Sequence, residues 1–308
     1  MSEGIIKYLK RKKELKKIIK LTKKQFRIII NELTLYNKDD DYPKYVTVKL
    51  IDYGLELRFS ISGICDFERI NNNLNFIRDA FKAKDILAIN ESGRVILKIY
   101  LKELQDLTYE KILLPPTTLL IGYNYDSIIT IDMLKLPHLL ISGLSNSGKS
   151  CCLNYILKNV KADNVNITIL NAYKNDYPGF TIINNIKEIE LYLKNILSAG
   201  IQDKTTYIVI EEMQILNNSK SVSSLCKEVL SYGRHLNVYV IGVIQNANKN
   251  SCIFKDLFNN RLSFRQIDSS SFLVALGTST GLNKNLKQRE FYLIAENGLI
   301  NGKAFINH

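Results

Sequence analysis

Gly143-Leu144-Ser145-Asn146-Ser147-Gly148-Lys149-Ser150 sets glycine, glycine, lysine and serine at the spacing G-x-x-x-x-G-K-[ST]. Both flanks suit that spacing. Leu139-Leu140-Ile141-Ser142, just before it, is an apolar run of strand length, and Cys151 to Val160, just after it, reads as a helix. Strand, glycine-rich turn and helix N-terminus in that order form a phosphate cradle. The glycines let backbone N–H groups curl around an anion, and the helix adds its positive end. Lys149 then reaches the β- and γ-phosphates, and Ser150 offers a hydroxyl to Mg2+. All eight residues, 143–150, are candidate nucleotide-binding residues, with ATP and Mg2+ as the implied cofactors.

Working outward, buried-type strands at Leu139–Ser142, Ile167–Leu170, Tyr207–Ile210 and Val238–Ile244 alternate with helical stretches at 149–160, 186–198 and 222–232. That alternation predicts an α/β fold with a mostly parallel sheet wrapped by helices. Two strand ends carry further chemistry. Tyr207-Ile208-Val209-Ile210 runs into Glu211-Glu212. A carboxylate at the first position, Glu211, suits the Mg2+ shell, and Glu212 suits the base that orients and deprotonates the attacking water. Gln245, at the tip of Val238–Ile244, can sense the γ-phosphate or that water. Together these elements indicate the RecA-like class of P-loop ATPase.

Upstream, the chain divides into a basic amphipathic helix within 1–33, a small α+β domain at 44–114 and the ATPase domain at 115–308. Leu15, Ile18, Ile19, Phe26, Ile29 and Ile30 follow helical spacing with lysines between them. Residues 1–30 hold eleven Lys/Arg and two Glu, so they carry +9 of the chain's net +12. Such a segment suits a polyanion. Three roles stay open for it: docking by its apolar stripe, contact with DNA, or contact with an anionic membrane surface. Lys12, Lys13, Lys16 and Lys17 are its DNA-binding candidates. The small domain reads as ββαββ, with strands at 45–51 and 55–61, one helix face marked by Phe67, Ile70, Leu74, Ile77 and Phe81, and a hairpin at 86–100.

Composition excludes several classes. Apolar residues are 46% and charged residues 23% of the chain, with only fifteen glycines and five prolines, so neither a disordered nor a collagenous chain is expected. No apolar run reaches the ~18–20 residues of a membrane-spanning helix, and no secretory signal pattern is present. Cys65, Cys151, Cys152, Cys226 and Cys252 fit no zinc spacing and suit reduced thiols. The expected location is cytoplasmic, or peripheral at the inner membrane face if residues 1–30 lie on the lipid.

Leu136-Pro137-His138-Leu139-Leu140-Ile141-Ser142-Gly143, entering the phosphate loop, resembles the corresponding stretch of FtsK/SpoIIIE-type DNA translocases of the HerA/FtsK superfamily. Ile169-Leu170-Asn171-Ala172-Tyr173-Lys174 resembles that family's strand ending in an acid, proline and lysine, with Asn171 in place of the acid. Glu211-Glu212 stands where the family has Asp-Glu, and Ile244-Gln245 where it has Thr-Gln. Arg234, Lys255 and Arg261-Leu262-Ser263-Phe264 extend the likeness, which covers about 110–280. The Arg-Pro after the family glutamine is Asn246-Ala247 here, and the family's Gly-Asp hairpin is replaced by Leu286 to Leu293.

The resemblance implies an ATP-driven translocase acting on DNA without sequence preference, assembled as a hexameric ring. Lacking membrane helices and a winged-helix tail, it resembles the short forms of plasmids, integrative elements or phages, serving transfer, replication or segregation. A cation from a neighbouring subunit would then meet the developing charge on the γ-phosphate, with Arg234 and then Arg261 as candidates. Lys220, in the polar stretch 217–221, and Lys249 are candidates for backbone contacts to DNA. Two other readings keep the nucleotide: an ATP-switched adaptor for a replication or relaxation protein, and a membrane-surface assembly ATPase.

Overall fold

The computed structural model describes residues 3–44, 46–245, 247–248, 254–279, 282, 286–296 and 298–307, with only the backbone of 3–12 and 217. Two compact units divide the chain, Met1–Gln105 and Asp106–His308. Lys249 and Asn246 lie outside the described residues, as does the side chain of Lys12.

The first unit begins with α1 (Glu3–Glu32), followed by β1 (Thr47–Ile51), β2 (Gly54–Ser60), α2 (Phe67–Asn71), α3 (Leu74–Ala80), β3 (Asp85–Glu91) and β4 (Arg94–Tyr100). The strands form an antiparallel sheet in the order β1-β2-β4-β3. Residues 22, 26, 29 and 30 recur on one side of α1. Thr22, Phe26, Ile29 and Ile30 are buried there, with Phe26 against Phe59 of β2 at 4.6 Å between ring centroids. Burying a phenylalanine contributes on the order of 2 kcal/mol, so the second half of α1 is part of this unit's core. The same stripe runs on toward the N-terminus as Leu15 and Ile18, which are exposed. Lys13, Lys16, Lys17 and Lys20 are also exposed. The single helix expected over 67–81 is two. Asn72 and Asn73 break it, and the Asn73 side chain donates back to the Arg69 carbonyl at 2.7 Å. Asparagine competes for the helix's own backbone groups in this way.

The second unit contains β5 (Thr118–Tyr123), β6 (Ile128–Asp132), β7 (Leu139–Ser142), α4 (Lys149–Val160), β8 (Val165–Leu170), β9 (Thr181–Ile183), α5 (Ile186–Ala199), β10 (Thr205–Ile210), α6 (Lys220–Tyr232), β11 (Val238–Ile244), β12 (Asn260–Ser263), α7 (Ser269–Leu276), β13 (Glu290–Ala295) and β14 (Gly298–Lys303). One ten-stranded sheet joins all of its strands in the order β6-β5-β14-β13-β12-β7-β11-β10-β8-β9. The run from β12 to β9 is parallel, as the alternation of strands and helices predicts. β7, β10 and β11 are buried at every residue, which is why they read as unbroken apolar runs.

The other side of the sheet is an antiparallel extension, β6-β5-β14-β13, hydrogen-bonded to β12. The apolar-run pattern does not reveal it. β14 reads Gly-Leu-Ile-Asn-Gly-Lys, too polar for a buried strand. Its Gly302 is required by packing, because a Cβ there would lie 2.8 Å from the Phe291 ring. The polar 217–221 stretch joins the end of a short helical turn, Met213–Asn218, to the start of α6 through the extended Ser219. Ser219 caps that helix by accepting from the Val222 N–H at 3.3 Å.

His138, just before β7, is 1% exposed. Its Nδ1 accepts from the Val240 N–H at 2.9 Å, so the neutral ring donates from Nε2 to the Leu230 carbonyl at 2.9 Å. Burial pushes its pKa down from 6.5 to about 4. The unfolded chain therefore binds this proton at a higher pH than the folded one does. The resulting stability is complete above pH 6.5 and is lost as pH falls from 6.5 toward 4. Melting temperature should accordingly fall between pH 7.5 and 5, by the equivalent of ~2 kcal/mol. In His138→Gln, which carries no titrating ring, thermal melts over the same range should show a clearly smaller slope.

Candidate functional site

Parallel pairing aligns the strand ends. Ile210 pairs with Gly242, Ile244 with Ser142, and Leu170 with Ile210. The next residues, Asn171, Glu211, Gln245 and Gly143, therefore emerge at one edge of the sheet. Adjacent strands are ~4.8 Å apart, so each end stands beside the next, in the order Gly143, Gln245, Glu211 and Asn171. β7 lies between β11 and β12. The chain leaves β7 for strands on one side and returns through β12 on the other. Such a topological switch point is where open α/β sheets bind ligands.

At that edge the loop from Gly143 to Ser150 turns into α4. Gly143 and Gly148 take positive φ, 148° and 117°. A Cβ on Gly143 would meet Phe264 Cβ at 2.8 Å. Lys149 is 7% exposed, and its ammonium donates to the carbonyls of Gly143 and Leu144 at 2.7 and 2.8 Å. Burial pushes that ammonium below its ordinary range, while Glu212 and Glu211 hold it up. The Ser147 hydroxyl is buried without a partner among the described residues. Ser145 Oγ lies 3.4 Å from Gln245 Oε1, so the amide at the end of β11 touches the loop itself.

Glu211 and Glu212 differ in setting. Burial pushes the Glu211 carboxyl up, while the Tyr177 hydroxyl beside it pulls it down. Glu211 Oε2 is buried with no hydrogen-bond partner among the described residues. The Glu211 carbonyl accepts from Asn171 Nδ2 at 2.9 Å. Glu212 sits in the left-handed region at φ 66°, a strained conformation for a side-chain-bearing residue and one that concentrates at functional sites. The oxygens of Glu211 and Ser150 are hard donors that fit Mg2+, completed by phosphate oxygens. No cluster of three or more acidic, His or Cys side chains able to hold a metal occurs among the described residues, so a metal here would depend on the nucleotide.

The remaining candidates lie apart from this edge. Arg234 is exposed in the turn before β11, at the opposite end of that strand from Gln245. Seven strand residues span about 20 Å, so Arg234 does not reach its own chain's loop. Arg261 is tied down: its Nε donates to the Phe258 carbonyl at 3.1 Å, and its Nη2 lies 3.7 Å from Asp256. Lys220 is exposed at the first position of α6. Three residues at the edge escape sequence reasoning. The Arg265 carbonyl accepts from the Leu144 N–H at 2.9 Å, with its side chain exposed. Tyr177 packs on Glu211. Arg289 N–H donates to the Ser147 carbonyl at 2.8 Å. No motif spacing marks any of them.

No protein-family model matches the chain, and no curated protein matches it. Solved structures do. The chain is similar to the conjugation coupling protein TcpA of pCW3, in its monomer form with ATPγS, with TM-score 0.62 and 15% identity over 92% of this chain and 94% of that one. It is similar to ATPases 2 and 3 of EccC from Thermomonospora curvata in complex with a signal sequence peptide, with TM-score 0.54 and 13% identity over 68% and 45%. ATPases 2 and 3 of EssC from Geobacillus thermodenitrificans give 0.53 and 11% over 67% and 48%. The chain spans under half of those two. At such identities the likeness is one of fold: a RecA-like P-loop ATPase fold, as the phosphate loop and sheet order require.

The glycine at 148 is demanded twice, by φ 117° and by Arg289, whose Cα would lie 3.0 Å from a Cβ there. Gly148→Ala should therefore lower stability by at least ~1 kcal/mol, read as a fall in melting temperature without nucleotide. ATPγS should raise the variant's melting temperature much less than the parent's.

Proposed function

We propose that the chain is an ATP-hydrolysing motor that acts on the DNA of a mobile element, plasmid or phage and works as a ring, by expectation a hexamer. The observation that carries this reading is the meeting of phosphate loop, paired carboxylates and Gln245 at one edge of the sheet, with Ser145 and Gln245 3.4 Å apart. Likeness to a conjugation coupling protein over nearly the whole chain supports the DNA side.

The chemistry follows from the residues. Phosphate oxygens would replace the Gly143 and Leu144 carbonyls as partners of the Lys149 ammonium. Backbone N–H groups of the loop would hold the β-phosphate, with the α4 N-terminus behind them. Ser150 and Glu211 would hold Mg2+, which neutralises phosphate charge when bound. Glu212 would orient the attacking water and take its proton, and Gln245 would register the γ-phosphate from its contact with Ser145. Arg234 would enter the site of the next subunit and offset charge in the transition state. Its exposure and its distance from its own loop favour it over Arg261, which is held within its own chain.

Lys220 and the lysine face of α1, including Lys13, Lys16 and Lys17, would hold DNA phosphates without reading bases. Because Phe26, Ile29 and Ile30 belong to the core, removing residues 1–30 would unfold the first unit. Charge substitutions are the sound test.

Lys149→Ala should abolish turnover. Glu212→Gln should keep ATP affinity within a few-fold while kcat falls by roughly 100-fold or more. Near-normal turnover in Glu212→Gln would overturn the assignment of the base. Arg234→Ala should bind ATP without hydrolysing it, and mixing it with Glu212→Gln should restore part of the activity. No restoration at any ratio would remove Arg234 from a shared site. Turnover should rise on adding DNA. With Lys13, Lys16, Lys17 and Lys20 all changed to Gln, the slope of log affinity against log salt should flatten by roughly 0.9 for each phosphate that is no longer neutralised, as read by titrating labelled duplex. An unchanged slope would move DNA binding away from α1.

A further inference from the structure

Arg289 stands directly before β13 with φ 70°, a left-handed backbone that a side-chain-bearing residue adopts only when its surroundings enforce it. Those surroundings are specific. Its N–H donates to the Ser147 carbonyl at 2.8 Å, and its own carbonyl accepts from the Ala304 N–H at 2.8 Å. Its side chain is largely buried, and Nη2 lies 2.7 Å from Asp106 Oδ2. The other Asp106 oxygen takes Lys303 Nζ at 2.5 Å. Beside it, Gln288 Nε2 donates to Asn146 Oδ1 at 3.1 Å. The space left by the absent Cβ of Gly148 is filled by the Cα of Arg289.

Peptide planarity gives this contact a consequence. In a trans peptide the C=O and the following N–H point in opposite directions. Holding the Ser147 carbonyl outward, on Arg289, turns the Gly148 N–H inward, toward the space the loop encloses. We propose that Arg289 is a positioning residue for nucleotide binding: pinned by Asp106, it sets the Ser147–Gly148 peptide so that the Gly148 N–H is presented to the nucleotide phosphates. The inference rests on the ATPase reading above. Arg289 lies in the stretch Leu286 to Leu293, which stands where the resembled family has a hairpin of different sequence. It touches no reacting atom. It holds a donor used equally in ground and transition states, so its loss weakens binding and leaves the chemical step alone.

The test measures ATPγS affinity, steady-state kcat and KM, and melting without nucleotide, all on the full chain. Asp106→Asn and Arg289→Ala should each weaken ATPγS binding by about tenfold, the scale of one charge-assisted contact. KM should rise in parallel, with kcat within about twofold of the parent. Asp106→Glu, which keeps the carboxylate, should recover most of the affinity. The double variant should be little worse than either single, because both remove one device. Should Arg289→Ala fail to fold, the comparison of Asp106→Asn with Asp106→Glu decides alone. Unchanged affinity in a folded Asp106→Asn variant, or a fall in kcat with KM unmoved, would overturn the proposal. A parent that binds ATPγS no better than Lys149→Ala would instead overturn the ATPase reading itself.

Discussion

Parallel pairing in register is the constraint on which the site depends. The ladders β7·β11, β11·β10 and β10·β8 set four strand ends side by side, each one strand spacing from the next. A slip by one residue would turn each side chain to the opposite face of the sheet. It would also take Gln245 away from Ser145 and Asn171 away from the Glu211 carbonyl. Complete burial of β7, β10 and β11 opposes such a slip. The hydrophobic core thus sets the relative positions of groups that are themselves polar.

Electrostatics at that edge is arranged around binding at some cost to the folded chain. Burial disfavours the charge on both Lys149 and Glu211. Their opposite charges offset part of that, and two carbonyls of the loop satisfy the ammonium. A triphosphate would give the lysine better partners than carbonyl dipoles, and a divalent cation would give Glu211 a counter-charge in place of a hydroxyl. The strain at Glu212 and Arg289, both at positive φ, lies within the same few strand ends and bonded loops. Strained residues persist only where their neighbours over-determine them. Here the neighbours are the loop and the sheet edge.

Much of this was legible in the sequence, for identifiable reasons. The phosphate loop declares itself because glycines and a lysine at set spacing have few other uses. The parallel strands declare themselves because burial on both faces leaves an unbroken apolar run. Legibility fails where geometry is set by distant residues. The β13–β14 hairpin has a polar, glycine-bearing second strand whose Gly302 is explained only by the Phe291 ring. Tyr177 and Arg265 reach the edge through loops without a repeating pattern. Asn72-Asn73 ends a helix whose apolar spacing continues across the break, so periodicity alone joins α2 to α3. In α1 the spacing is right, but nothing in it says that the apolar stripe is used from Thr22 onward and bare at Leu15 and Ile18.

Two departures from the resembled family's pattern, at 171 and 211, make sense as a pair. In that pattern the strand corresponding to β8 ends in an acid, and the carboxylate at the end of the strand corresponding to β10 is Asp. Here the first is Asn171 and the second is Glu211. Asn171 adopts φ 59°, a left-handed conformation that asparagine tolerates better than most residues, and its amide donates to the Glu211 main-chain carbonyl. An ionised aspartate at 171 would oppose one acceptor to another across that 2.9 Å contact. It would also add a second negative charge beside a buried carboxyl that already titrates high. Neutral Asn171 therefore removes a repulsion and supplies a donor that fixes the strand end. With the main chain held, Glu211 has one methylene more reach than an aspartate. The exchange redistributes the work of two acids into one longer acid and one amide that anchors it.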